Sequence, residues 1–173
     1  MNKICIELMN GKKMNLQLYP DVAPITVKNF LDLVDNKFFD GLVFHRVIKD
    51  FMCQGGGYFI KDHQFIDRRE SKPIKGEFAS NGIPNNIKHT LGVISMARTN
   101  VKDSASSQFF LCVDHCQHLD GEYAAFGKMI DDESIKVLKE LNSYPTAMVD
   151  SSLADWPNVE EEKYTIKSIY RID

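Results

Sequence analysis

The sequence predicts a mainly β protein, a closed, eight-stranded antiparallel β-barrel capped by two α-helices. Three observations predict it: short segments alternate apolar and polar residues, few helical segments lie between them, and no repeat or low-complexity tract interrupts them. An open antiparallel sheet exposes its edge strands, so closure into a barrel is expected. The 173 residues suit a single domain, which we place at residues 1–173.

The beginning of the chain predicts a hairpin followed by a helix. The segments Lys3–Leu8 and 14–19 alternate apolar and polar residues, a pattern typical of half-buried strands. Asn10-Gly11 between them favours a tight hairpin turn. Pro24 suits the first turn of a helix, and apolar residues recur at helical spacing after it.

The remaining chain predicts further strands and a second helix. Residues 58–90, interrupted by glycines and prolines, predict either an insertion or a binding wall built from loops. Ser134 is expected to cap a short helix preceded by acidic residues. Residues 144–162 are expected to form a solvated acidic loop. Strands are predicted at residues 42–48, 91–97, 107–113, 123–130 and 164–173.

The composition excludes several classes of protein. Hydrophobic residues make up 43% and charged residues 26%, as in ordinary globular domains. The 24 acidic and 21 basic residues give a net charge of −3, which provides no general attraction to nucleic acid or anionic membranes. No apolar run approaches the roughly 18 residues of a membrane span, and Glu7 interrupts any signal-like segment. We expect a cytoplasmic monomer with reduced cysteines.

The segment between positions 44 and 56 contains the strongest candidates for catalytic or binding residues. This segment places one arginine and one glutamine among aromatic and sulfur-containing side chains. Arg46 shares strand parity with Phe44 and Ile48, so it is expected on an apolar face, where burial of an unpaired charge is costly. From composition alone, a salt bridge or an aliphatic stem lying along apolar surface is the commoner explanation.

Two later segments add candidate site residues. Gln108 and Phe110 point to the same face of a predicted strand, because side chains alternate along a strand. The segment from His118 to Lys128 combines apolar, aromatic and glycine residues. Each segment alone could be a core strand followed by a turn.

Taken together, the segments resemble the cyclophilins, the cyclosporin-class peptidyl-prolyl cis-trans isomerases. The resemblance runs from Lys3 to Ile172, and Met96-Ala97-Arg98-Thr99 is more similar to bacterial-type members. The matching pieces follow the family's order and spacing: Phe44-His45-Arg46-Val47-Ile48, Phe51-Met52-Cys53-Gln54-Gly55-Gly56, Gly92-Val93-Ile94-Ser95-Met96-Ala97, Ser107-Gln108-Phe109-Phe110, Leu119-Asp120-Gly121 and Phe126-Gly127-Lys128.

The resemblance implies an enzyme that rotates X-Pro peptide bonds and assists protein folding, without a cofactor or metal. Its partners would be proline-containing peptides and unfolded or folded client proteins. Gln54 would hold Arg46 and the substrate carbonyl in place. The implied catalytic residues are Arg46, Gln54 and Phe51, and the implied substrate-binding residues are Met52, Ala97, Arg98, Gln108, Phe110, His118, Leu119 and Tyr123.

Three positions depart from the common family pattern. His118 stands where a tryptophan at the pocket rim is frequent, and Tyr123 stands where a histidine is frequent. Because that tryptophan is associated with tight cyclosporin binding in the family, the drug is expected to bind only weakly. Arg98 replaces an asparagine, which suggests a preference for substrates with acidic neighbours.

Other functions fit the sequence less well than an isomerase does. A proline-peptide binding or chaperone module with little turnover is the main alternative, and a small-ligand barrel of the lipocalin type fits the polar Arg46 and Gln54 poorly. A metal site at Cys112, His115, Cys116 and His118 lacks a standard zinc spacing. A redox role is weak because the two cysteines are spaced Cys-x-x-x-Cys rather than Cys-x-x-Cys.

Overall fold

The computed structural model describes residues 2–62, 64–147 and 156–172, which form a mainly β structure with two α-helices. The helices are α1 (Pro24–Asp35) and α2 (Asp132–Ser143). The strands are β1 (Lys3–Leu8), β2 (Lys13–Leu18), β3 (Arg46–Ile48), β4 (Met52–Gly55), β5 (Tyr58–Lys61), β6 (Gln64–Asp67), β7 (Val93–Met96), β8 (Phe109–Cys112), β9 (Ala125–Met129), β10 (Thr146–Ala147), β11 (Trp156–Pro157) and β12 (Ile166–Arg171).

Eight strands form one antiparallel sheet in the order β12-β1-β2-β9-β7-β8-β4-β3, which confirms the mainly antiparallel β architecture. Closure is the one difference from the expected barrel. The segment before β3 reaches the start of β12 through a single bridge between Val43 and Thr165. Three backbone hydrogen bonds flank this bridge, from Gly41 N to Ile166 O, from Ile166 N to Leu42 O and from Phe44 N to Tyr164 O, but no regular ladder continues from it. The predicted strand at residues 42–48 is therefore regular only at Arg46–Ile48.

Alternate residues of the central strands face two separate apolar clusters. In β8, Phe109 and Leu111 join the larger cluster, which also contains apolar residues of both helices. Phe110 and Cys112 face the other way and join a smaller cluster with Met52. This division follows from the two-residue period of a strand. The smaller cluster supports the candidate site.

Helix α1 packs its apolar side against an aromatic core. The Phe30 ring lies 5.2–5.7 Å from the rings of Phe109 and Phe126. The first turn of a helix has N–H groups without helical partners. A distant loop supplies one partner here, since buried Glu77 accepts hydrogen bonds from Thr26 N at 2.6 Å and from Thr26 Oγ1 at 2.7 Å.

Helix α2 begins one turn earlier than its expected cap. Asp131 is the N-cap residue, and its side chain accepts a hydrogen bond from Ser134 N at 2.7 Å. The expectation that Ser134 caps this helix is wrong. Ser134 Oγ instead accepts from Asn15 N at 2.7 Å, which ties the helix to β2.

The two segments expected to be irregular each contain a short antiparallel strand pair. Strands β5 and β6 pair within the first, and β10 pairs with β11 within the second. Residues 148–155 of the expected acidic loop lie outside the described residues. Trp156 packs edge-on against Phe65 at 5.1 Å and Tyr164 at 6.2 Å. No helix in the described ranges is long and apolar enough to cross a membrane.

Candidate active site

The core of the candidate site is a row of side chains running across four neighbouring strands. Strand register pairs Arg46 of β3 with Gln54 of β4, Gln54 with Phe110 of β8, and Phe110 with Ser95 of β7. Directly paired residues of neighbouring strands project from the same face of a sheet. A cation, an amide and an aromatic ring therefore stand side by side, although the chain separates them widely.

A cavity of about 160 Å³ opens beside this row. Its volume is well below the roughly 300–1,000 Å³ of drug-sized sites, so it suits one small ring with an attached backbone. Met52, Phe110 and Leu119 are buried and provide apolar walls. The lining residues, all within the predicted set, are Arg46, Phe51, Met52, Gln54, Ala97, Arg98, Phe110, Leu119 and Tyr123.

Arg46 presents an exposed guanidinium at one end of the row. The side chain was expected on a buried apolar face, and the structure instead exposes it beside the apolar cavity. Within the described part of the chain, the guanidinium forms no hydrogen bond or salt bridge, so its five N–H donors can reach a ligand.

The neighbouring His45 points into the protein and stays uncharged near neutral pH. Burial lowers the pKa of this imidazole to about 4, and the charge of Arg46 lowers it further in the same direction. The ring packs edge-on against Tyr58 at 4.8 Å and Phe65 at 6.4 Å. Arg46 is therefore the permanent charge of this dipeptide.

Gln54 was expected to hold Arg46 in place, but its side chain bonds to another glutamine and not to Arg46. Gln54 Nε2 donates to Gln108 Oε1 at 3.0 Å, across the β4–β8 pair. This bond leaves Gln54 Oε1 available as an acceptor. Gln108 itself does not line the main cavity. It lines an adjoining cavity of about 170 Å³ that shares Gln54, Ala97 and Arg98 with the first.

The aromatic wall at Phe110 rests on a buried polar network that the sequence did not suggest. The His89 ring stacks on Phe110 at 5.9 Å and 15°. Its two nitrogens lie 2.8 Å from Ser95 Oγ and 3.0 Å from Asp120 Oδ1. Burial lowers the pKa of His89, although its hydrogen bond to Asp120 opposes this shift. The only available signal was Ser95, a polar residue within an otherwise apolar strand, which requires a partner when buried.

Arg98 closes one side of the cavity through contacts within the protein. Its Nη2 and Nε donate to Glu122 O at 2.6 and 3.2 Å, and Nη1 donates to Thr99 O at 2.9 Å. The guanidinium lies 4.8 Å from the Phe78 ring and 4.6 Å from the Tyr123 ring. These contacts hold Tyr123 beside Phe110, while the preference of Arg98 for acidic neighbours stays a prediction.

His118 lies outside the cavity, at its rim. It belongs to a short 3₁₀ turn, Gln117–Leu119, and its exposed ring is 5.5 Å from the ring of Phe51. Leu119, the next residue, is buried and lines the cavity. Of the turn's residues, the structure thus places the apolar one in the pocket and the imidazole outside it.

The cysteines near the site are buried thiols. Burial raises the pKa of Cys112 and Cys116 above the ordinary value, which disfavours the reactive thiolate. Cys112 faces Met52 in the small apolar cluster behind the cavity. No group of three or more metal-ligating side chains occurs among the described residues.

Comparison with known proteins places the chain in a family. The profile of the cyclophilin type peptidyl-prolyl cis-trans isomerase/CLD family matches residues 4–169. A peptidyl-prolyl cis-trans isomerase of Acinetobacter baylyi is 40% identical over 143 residues, covering 80% of this chain and 71% of the relative. Isomerase A of Dickeya dadantii is 38% identical over 161 residues, covering 90% and 77%.

A solved structure agrees with this relationship. The Cryptosporidium parvum cyclophilin type isomerase, crystallised in the presence of the dipeptide Ala-Pro, superimposes with a TM-score of 0.75 at 26% identity and covers 99% of both chains. The fold is that of the cyclophilin-type isomerases. The chain belongs to the cyclophilin-type peptidyl-prolyl cis-trans isomerases.

Proposed function

We propose that the cavity holds the proline ring of an extended peptide and that Arg46 stabilises the twisted X-Pro amide. The observation that carries this proposal is the row of Arg46, Gln54 and Phe110, with an unpaired guanidinium beside an apolar cavity. Amide resonance gives the uncatalysed bond a barrier of about 18–20 kcal/mol. The two isomers differ by only about 0.5–1 kcal/mol, so catalysis requires no covalent chemistry.

Arg46 would act on the nitrogen of the rotating bond. As the amide twists, resonance is lost and the prolyl nitrogen gains a lone pair, to which a guanidinium N–H can donate. This hydrogen bond is absent in the planar ground state, so it lowers the barrier rather than merely tightening binding. The planar, permanently charged guanidinium suits this task better than a lysine ammonium.

The other lining residues would hold the substrate on either side of that bond. Met52, Phe110 and Leu119 offer apolar surface to the proline ring, and Gln54 can contact the substrate backbone. The adjoining cavity beside Gln108 would take a residue of the peptide next to the proline. The Ala-Pro dipeptide used with the parasite relative supports proline-containing peptides as substrates. Client proteins, a monomeric state and a cytoplasmic location remain predictions.

Exchange spectroscopy on an X-Pro peptide tests the proposed function. Uncatalysed cis-trans exchange takes tens of seconds or longer. We expect the wild-type protein to accelerate it into the range that NMR exchange spectroscopy can measure. The same peptide with alanine in place of proline is the matched control and should not bind the cavity. Peptide shift changes without faster exchange would instead support the proline-peptide binding module.

Cyclosporin inhibition is expected to be weak, because exposed His118 lacks the area and the N–H of an indole at the rim. A His118→Trp variant should bind the drug about 10- to 100-fold more tightly, while the isomerase activity of the wild type is retained. His115→Trp, which adds an indole at a neighbouring exposed position, should leave the affinity unchanged. Nanomolar inhibition of the wild type would contradict the prediction.

A further inference from the structure

The turn between β3 and β4 determines where two residues of the proline cavity lie. Phe51 and Met52 leave this turn to line the cavity. Asp50 within it adopts a positive φ of 62°, a left-handed conformation that is unfavourable for most residues other than glycine. Such a turn keeps one conformation only where surrounding contacts specify it.

Asn142, in the last turn of α2, supplies these contacts. Its Oδ1 accepts a hydrogen bond from Asp50 N at 2.9 Å. Its Nδ2 donates to Ile48 O at 2.9 Å and to Met52 O at 3.3 Å. The residue is 4% exposed, so its side chain makes these bonds largely shielded from solvent. One amide thus pairs with the backbone before, within and after the turn.

The opposite side of the turn is held by β8. Val113 N, at the end of β8, donates to Phe51 O at 2.9 Å. The backbone of Phe51 and Met52 is therefore hydrogen-bonded to β8 on one side and to α2 on the other. Strand β8 contributes Phe110 to the cavity, whereas α2 lies outside it. No described residue of α2 lines the cavity, so Asn142 can reach the substrate only through the turn.

An apolar residue could fill the space of Asn142 but could not make these bonds. Asparagine provides two N–H donors and a carbonyl acceptor within one short, rigid side chain. An aliphatic side chain would remove the partner of Asp50 N and one of the two donors to Ile48 O, which retains only the bond from Phe51 N, and the turn would relax to find others. The shift would move Phe51 and Met52 relative to Arg46, which lies on a different strand.

We infer that Asn142 is a positioning residue for the isomerisation, holding the β3–β4 turn so that Phe51 and Met52 form the wall of the proline cavity. This inference rests on the proposed function of that cavity. Asn142 touches neither the substrate nor Arg46, and it acts through the backbone of the turn. A displacement of about 1 Å in such a wall can change catalysis by orders of magnitude.

The test combines exchange kinetics with the NMR signal of the Met52 methyl group. Asn142→Leu keeps the branched shape and the number of heavy atoms of the side chain and removes all of its hydrogen bonds. We expect kcat/KM to fall about tenfold at a temperature where the variant is fully folded, mainly through a higher KM, together with a shifted Met52 methyl resonance. Ser143→Ala, on the same helical turn, is the matched control and should change neither quantity.

A second variant keeps the inference testable if Asn142→Leu does not fold. Asn142→Gln keeps the amide donors and acceptor but places them one methylene further along the side chain, so kcat/KM should fall by a smaller factor, again with a shifted Met52 methyl resonance. A folded variant with unchanged kcat/KM and an unchanged Met52 resonance would overturn the role of Asn142. An inactive wild type would contradict the proposed function, which separates the two failures.

Discussion

Replacing Arg46 by alanine is expected to lower kcat/KM for X-Pro isomerisation by about 10²–10³-fold, the usual effect of losing one preorganised donor to a transition state. The guanidinium is exposed and forms no hydrogen bond or salt bridge with other described residues, so its loss leaves no buried group unpaired. The free energy of unfolding should change by no more than about 0.5 kcal/mol. Exchange NMR and denaturant titration measure the two quantities.

Two further variants sharpen this experiment. Arg46→Lys keeps the charge but loses the planar fork, so most of the activity should still be lost. Arg69→Ala removes an arginine from an exposed position outside the cavity and should leave kcat/KM unchanged. Equal exchange rates for wild type and Arg46→Ala would overturn the proposed mechanism, because no other lining residue carries an unpaired cationic donor in the described site.

Acidification from pH 6.5 to pH 4 is expected to destabilise the fold by on the order of 3 kcal/mol through His45 alone. Burial holds the pKa of this imidazole at about 4 in the folded protein, against 6.5 for the ordinary group. The unfolded chain therefore binds the proton first. The stabilising contribution is complete above pH 6.5 and is lost as the pH falls towards 4.

Denaturant titrations between pH 7.5 and pH 4.5 measure this effect. His45→Phe keeps a ring against Tyr58 and Phe65, so its stability should fall less with acidification than that of the wild type. His89, whose pKa is also lowered mainly by burial, contributes in the same direction in both proteins. His115→Gln removes an exposed histidine and serves as the control. Parallel pH profiles for wild type and His45→Phe would contradict the assignment.

The amino-acid sequence determined the elements and the residue types of the site. Strict alternation of apolar and polar residues specified β1, β2 and β12, because a strand has two faces and one of them is buried. Pro24 marked the start of α1 correctly. The motifs from Phe44 to Gly56 and from Ser107 to Phe110 contain five of the nine residues that line the cavity.

Local patterns failed where a partner from far along the chain competes. Ser134 looked like a helix cap, but Asp131 takes that role while Ser134 bonds to β2. The parity of Arg46 suggested a buried apolar face, but its side chain lies at the open cavity and is exposed. Gln54 was expected to hold Arg46, and Gln108 of the neighbouring strand holds Gln54 instead.

Only the tertiary structure decided how these residues meet. Strand register, which no local pattern encodes, aligned Arg46, Gln54 and Phe110 in one row. Long-range hydrogen bonds then fixed the surroundings, with His89 behind Phe110 and Asn142 against the β3–β4 turn. The physical reason is that periodicity reports only which face of an element is buried. The partner that covers that face is chosen by the global packing of elements distant in sequence.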